Sequence, residues 1–428
     1  MTFMNRDVKK NISLPDKVEA LLKKGVRMTN PFSVEIGKEV NLDKIANSVT
    51  IYGAARVYGK ETLISQDVKL GYEAPVTLIN CQLGAAVELR GGYFDKSVFL
   101  EKVTLGSNAQ VRAGCLLEEQ SGGNHTVGLK QTILFPFVTL GSLINFCDCL
   151  MAGGTSRQNH SEVGSSYIHF NYTPHQDKAT PSLIGDVPRG VMLQEPPIFL
   201  GGQGGIVGPL KIDYGTVVPA GVICRRDFKA GGMLWSSPSS PEKGKEFVAG
   251  VYGDISRKVN YNIVYVANLL ALRQWYRYVR REFFIKGKYG NDLYCGAYNV
   301  LNEAVAERIK QLSLFTQNVE NSVAAGSKKM KSGLSDSARR TSKQFLQNWS
   351  HMQEYLSGNY EDKIFLKVKE KFVKIMRNQS DKGLSYLEAI QTLQPAQVQN
   401  GKDWLNKIVE DITTGCLKKF GAPRQQGI

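Results

Sequence analysis

Aliphatic residues recur at every sixth position from Ile45. Ile51, Val57 and Leu63 follow, and after short slips the step returns at Leu70 and Val76, at Leu83 and Leu89, at Leu105, Val111 and Leu117, and last at Ile206, Ile212 and Val218. A period of six fits neither the 3.6-residue helix nor the two-residue alternation of a half-buried strand. It fits a hexapeptide solenoid, in which each short strand directs one large side chain into a prism-shaped core and small residues turn the corners. An antiparallel sandwich would have to reproduce that step by chance in each of these separate runs. The sequence therefore predicts a mainly β chain: a left-handed parallel β-helix with Ile45, Ile51, Val57, Leu63, Ile206, Ile212 and Val218 inside, followed by an α-helical domain.

The six-residue step bounds a β-helix over 31–235. Residues 1–30 contain LPDKVEALLKKGV, apolar at helical spacing after a proline, and read as an N-terminal helical cap. Residues 236–258 open on SSPSSPEKGKEF and read as a linker. From Val259 the period becomes helical: VNYNIVYVANLLALRQWYRYVRREFF is one long amphipathic run, and NVLNEAVAERIKQLSLF follows a glycine-containing turn. SVAAGSKKMKSGLSDSA reads as a break before further helices in 341–378, 383–394 and 402–419, so 259–428 is predicted to be helical.

That domain carries the charge. From Arg225 onward 33 basic residues face 19 acidic ones, which places +14 of the net +15 there. A basic surface of this kind suits an anionic partner, whereas charge runs on helices are commonly just solvated. Trp275, Tyr276 and Tyr278 interleave with Arg273, Arg277, Arg280 and Arg281 in a pattern that could stack on nucleic-acid bases. The same spacing suits the core face of a bundle, and nucleic acid is not the expected partner. The seven cysteines are odd in number and scattered, the opening residues lack an apolar signal core, and no run of about twenty apolar residues occurs. The expectation is a cytoplasmic protein with reduced thiols and no membrane span. No tight ligand spacing points to a metal.

Four of the five histidines, His125, His160, His169 and His175, fall in the later coils. Histidine is the side chain whose ordinary pKa lies nearest neutrality, and so the usual general base for an amine or hydroxyl nucleophile. In YIHFNYTPHQDK (167–178), Asn171 can donate and accept, Tyr172 offers a hydroxyl and an apolar face, and Lys178 supplies a point charge for phosphate.

VGSSYIHFNYTPHQDKATPSLIGD (163–186), with RAGCLLEE (112–119) before it and TVVPAGVICRRD (216–227) after it, resembles the left-handed β-helix acetyltransferase domain of the bifunctional UDP-N-acetylglucosamine pyrophosphorylase/glucosamine-1-phosphate acetyltransferase family. The resemblance covers about 31–235. It implies that Asn171 and Tyr172 match an Asn-Tyr pair, that Lys178 matches a phosphate-contacting lysine after a slightly longer loop, and that Ile184, Gly185 and Asp186 restart the coil. Arg112 matches an arginine directed at the sugar phosphate, and Lys130 is the nearest counterpart of two adjacent lysines. Ser165, Val191 and Ala220 match small positions lining the acetyl-coenzyme A cleft. The family's catalytic histidine is replaced by Phe146, and no nucleotidyltransferase phosphate loop is found, so pyrophosphorylase activity is not expected.

These implications predict a hexapeptide-repeat transferase that moves an acyl group from acetyl-CoA to a sugar phosphate or sugar nucleotide, as a homotrimer like the family. His169 or His160 replaces the lost base, Arg112, Asn171, Tyr172 and Lys178 hold the substrate, and Ser165 and Ala220 line the cofactor cleft. Strand alternation and the narrowness of the prism place His169 and Asn171 on the outside. The rival readings are a sugar-phosphate or sugar-nucleotide binding protein without chemistry, and a trimeric scaffold whose basic helices are the working part.

Overall fold

The structure, a computed structural model, describes residues 13–171, 175, 177–229, 231–235, 248–329, 334–357, 366–418 and 420. Tyr172 and most of the expected linker, 236–247, lie outside the described residues.

The six-residue step is realised as a parallel β-solenoid. A ten-stranded sheet running from Arg27–Met28 to Val217–Val218 forms the first face of the prism. The second face runs through Ala55–Tyr58, Gly92–Asp95, Ala109–Val111, Ile168–Phe170 and Gly205–Val207, and the third through Gln82–Leu83, Ser97–Phe99, Cys115–Leu117 and Ser182–Ile184. The strands Gly128–Leu134 and Asn145–Met151 continue around the corner between these two faces, which join there as one sixteen-stranded sheet. Thr104 pairs in parallel with Gly122 eighteen residues on, which is three hexapeptides to a coil. Ile45, Ile51, Val57, Leu63, Ile206, Ile212 and Val218 are all buried. These features agree with the predicted left-handed β-helix. Several corners turn on residues in the left-handed region, among them Asn108, Thr126, Leu143 and Ser166 between the first two faces.

Two coils are enlarged. Thr139 pairs with Glu162, and Glu162 with Phe199 thirty-seven residues on. The extra residues enter at corners: a hairpin of Gly154–Ser156 and Asn159–His160, the residues between the strands Ile168–Phe170 and Ser182–Ile184, of which 171, 175 and 177–181 are described, and the short helix after Asp186.

The helices are α1 (Asp16–Lys24), α2 (Val187–Gly190), α3 (Ser256–Trp275), α4 (Arg281–Phe284), α5 (Gly290–Lys329), α6 (Asp336–Ser357), α7 (Leu366–Asp381), α8 (Tyr386–Gln391) and α9 (Pro395–Leu417). A π-helical stretch, Tyr276–Arg280, links α3 to α4. The serine- and glycine-containing stretch read as a break does not start one: α5 runs on to Lys329, through Ser322 and Gly326. Only residues after Lys329 separate it from α6, since a single glycine costs a helix about 1 kcal/mol and a long packed helix tolerates it.

The helical region lies on the third face. Strands 97–99, 115–117 and 182–184 are buried at every residue, so both sides of the sheet are covered, the inner side by the prism core and the outer side chiefly by α5, with α3 over the last of them. Tyr276 donates to Glu118 and Arg280 pairs with Glu119, tying the π-helical stretch to a solenoid corner. The interleaved aromatic and basic pattern is therefore largely core: Trp275, Tyr276 and Arg280 are buried, and Arg280 stacks on Tyr386 at 3.7 Å. No helix among the described residues is long and apolar enough to cross a membrane.

Candidate functional site on the second face

The second face keeps an exposed outer surface. Along its edge nearest the third face, successive coils stack Asp95, Arg112, Lys130, Cys147 and Phe170 in one outward column. Neighbouring parallel strands lie about 4.8 Å apart. Arg112 and Lys130 are thus brought side by side, both exposed, and neither has an ion-pair partner among the described residues. Two cations in register with few competing acids suit a phosphate.

Asn171 stands at the end of this column, where the chain turns off the face. Its Oδ1 accepts from Thr180 Oγ1 at 2.9 Å, and its Nδ2 donates to Asp148 Oδ2 at 3.4 Å. Asp148 occupies a left-handed corner position with φ of 60° and directs a buried carboxylate at Arg308 of α5, 2.9 Å away. Burial raises its pKa, with Arg308 opposing. Cys147 is pushed up to about 11 by burial and by Asp148, so it is a neutral thiol. The Lys178 side chain is exposed and its carbonyl accepts from Arg308 at 3.2 Å.

His169 does not face outward. Ile168 and Phe170 on either side are exposed, whereas His169 is 3 % exposed and pairs in register with Ile206, a member of the aliphatic core row. The strand alternates as expected, but with the opposite phase. Nε2 lies 2.8 Å from Ser182 Oγ, and Nδ1 has no hydrogen-bond partner among the described residues. Burial pushes its pKa down to about 4, so the imidazole is neutral at pH 7. Phe146 belongs to the same inward row. Asn171, two residues after His169, is only partly buried, because the chain has already turned the corner.

His160 lies on a different corner, between the third and first faces, where Nδ1 is 2.8 Å from the Arg157 carbonyl in the antiparallel hairpin. His175 accepts from the Gly250 amide at 3.0 Å. The sequence cluster of histidines is therefore spread over the prism: six residues along the chain turn it by one face. His125 is the residue that this spreading brings forward. It is exposed on the corner between the first and second faces, with Nδ1 2.9 Å from Ser142 Oγ. Its signal in the sequence is the near-coil spacing to Ser142.

Ser165 and Ala220 fall on that same corner, both exposed. Ser165 Oγ accepts from the Ser142 amide at 3.1 Å. A Cβ on Gly202 would come within 2.7 Å of the Ser165 carbonyl oxygen, and one on Gly201 within 2.3 Å of the Ala220 nitrogen. Small residues are thus required here by coil stacking alone, and they leave a smooth edge along the face. Val191 is buried after α2 and does not join them.

No protein-family model matches the chain. Over 49% of its length it is 24% identical to the bifunctional protein GlmU of Thermotoga maritima, and over the same share 26% identical to those of Fervidobacterium nodosum and Lawsonia intracellularis. The matches take in 42%, 41% and 41% of those proteins, so the chain spans under half the length of the curated relatives it matches. Together with the parallel solenoid, this bears out the resemblance read from residues 112–227.

Proposed function

We propose that the second face is the working surface of an acyltransferase that moves an acetyl group from acetyl-CoA to a sugar phosphate or sugar nucleotide. The observation that carries the reading is the adjacent pair Arg112 and Lys130, in the column that ends at Phe170 next to Asn171, on the exposed face of a solenoid whose relatives are named GlmU. In this reading the pair and Lys178 take the phosphate, Asn171 orients the acceptor, and the donor lies along the Ser165 to Ala220 edge. Tyr172 is retained as a substrate contact from its place in the matched motif. An amine attacking a thioester must lose a proton, and the base must come within hydrogen-bond reach of it, directly or through one water. His169 and His160 are the bases proposed from the sequence; exposure at the corner that borders this face favours His125 over both.

The test is an acetyl-CoA turnover assay with glucosamine 1-phosphate, run beside calorimetric binding. His125→Ala is expected to lower turnover by about 10²–10⁴ with binding retained, the usual range for a general base. The same loss in His169→Ala or His160→Ala alone would move the role there. Saturable binding with no turnover in the parent protein would make this a sugar-phosphate binding protein, a reading favoured by one observation, the burial of both Phe146 and His169.

A further inference from the structure

Between Asn171 and the strand at Ser182, residues 175 and 177–179 are held by the helical region and by the residues leading into it. The Gly250 amide donates to His175 Nδ1 at 3.0 Å, and the Tyr252 ring lies 4.6 Å from the His175 ring. Tyr252 also donates its hydroxyl to Asp177 at 3.1 Å, and Lys258 of α3 donates to both Asp177 oxygens at 2.8 Å. Arg308 Nη1 donates to the Lys178 carbonyl at 3.2 Å, and Asn262 Nδ2 to the Ala179 carbonyl at 3.1 Å. Through its other amino group Arg308 pairs with Asp148, the residue that receives Asn171.

We propose that the helical region is a clamp on the ligand loop, and that Lys258 and Arg308 are positioning residues that set Asn171 and Lys178 on the second face. The inference rests on the sugar-phosphate reading of that face. Two features distinguish a clamp from plain docking. Docking of α5 is already served by the apolar third face, where strands are buried on both sides. The polar contacts instead converge on one inserted segment. Asp177 and Asp148 are both nearly fully buried, with side chains 2% and 4% exposed. Buried ion pairs add little net stability compared with apolar packing of the same volume, and their best-attested use is to fix one arrangement. Ordering residues inserted in a coil costs chain entropy, and the bonds to 175 and 177–179 supply an offset from outside the solenoid.

The experiment uses the full chain and two paired variants that leave no unpaired buried charge: Lys258→Met with Asp177→Asn, and Arg308→Met with Asp148→Asn. Trypsin cleavage after Lys178, followed by mass spectrometry without ligand, reads the order of the loop. Calorimetry with glucosamine 1-phosphate reads its use, and the urea midpoint reads global stability. The clamp predicts cleavage after Lys178 faster by about tenfold, affinity weaker by about tenfold and a urea midpoint little changed, a tenfold change corresponding to a small shift in free energy. Arg308→Lys should recover part of the affinity. Cleavage that is unchanged, or that rises only in step with global unfolding, overturns the clamp. If the parent protein does not bind glucosamine 1-phosphate, the reading of the face fails while the cleavage rates still decide the clamp. Should a paired variant fail to fold, Asn262→Ala, which removes one bond to the Ala179 carbonyl, carries the same cleavage test.

Discussion

Phe146 packs edge-on against Tyr167, ring centroids 6.3 Å apart and planes inclined by 74°. Both rings are fully buried, and the Tyr167 hydroxyl reaches Cys224 Sγ at 3.8 Å. Phe146, which the resemblance matches to the family's base, is thus a side chain of the prism core here. Phe146→His is expected to destabilise the protein by about 2–4 kcal/mol, through lost apolar contact and a buried imidazole without a partner. It should yield no gain in turnover. Urea denaturation and the acetyl-CoA assay check the two halves, and a stable variant with raised turnover would show that this position reaches the outer face.

Arg112, Lys130 and Lys178 have exposed side chains, so replacing them should leave folding untouched. Each change to Ala is predicted to weaken binding of glucosamine 1-phosphate by about tenfold, with melting temperature unchanged within about 1 °C, since charge-assisted bonds contribute about 1.5–3 kcal/mol. Arg112→Ala with Lys130→Ala should lose less than the sum of the two, because adjacent residues sharing a ligand are not additive. Unaltered affinity in all three single variants would leave them as surface charges.

The aliphatic row was legible because each coil repeats the same demand, one inward side chain per face. The covering of the third face was also written in the chain, as Cys115-Leu116-Leu117 and Cys149-Leu150-Met151, where three successive residues are buried instead of one in six. What covers it could not be read, since helix periodicity names an apolar stripe and not its partner. The orientation of His169 was hidden by the enlarged coil: its register partner Ile206 lies thirty-seven residues on, where an ordinary coil takes eighteen, and the extra residues enter at two corners between them. The cations of the site were legible one by one, but the adjacency of Arg112 and Lys130 follows from coil length.

Since α5 and its neighbours take up the third face, association between solenoids is left to the first and second. The first ends in a column of Phe199, Val217 and Leu234, exposed by 40%, 38% and 71%. We predict a homotrimer, with Phe199→Lys driving it toward monomer; light scattering on both proteins checks this, and a monomeric parent protein overturns it.

Two buried groups give opposite pH dependences. His169 is pushed down to about 4 by burial, so the folded state resists a proton that the unfolded chain accepts near 6.5, and its contribution is lost as pH falls from 6.5 toward 4. Glu118 is raised to about 7, first by burial and then by Glu119, with Arg280 and the Tyr276 hydrogen bond opposing. Its folded state holds a proton that the unfolded chain releases near 4.5, so that contribution is present at low pH and lost as pH rises from 4.5 toward 7. Each shift corresponds to about 3 kcal/mol, and between pH 4.5 and 6.5 the two slopes oppose. Glu118→Gln, which keeps a partner for Tyr276, should make stability relative to the parent rise with pH across 4.5 to 7. His169→Gln should do the reverse across 4 to 6.5, a stability gain at acid pH that fades toward neutrality. Urea midpoints of the three proteins at half-unit pH intervals measure both differences, and a pair of flat difference curves would mean that neither group titrates as its burial requires.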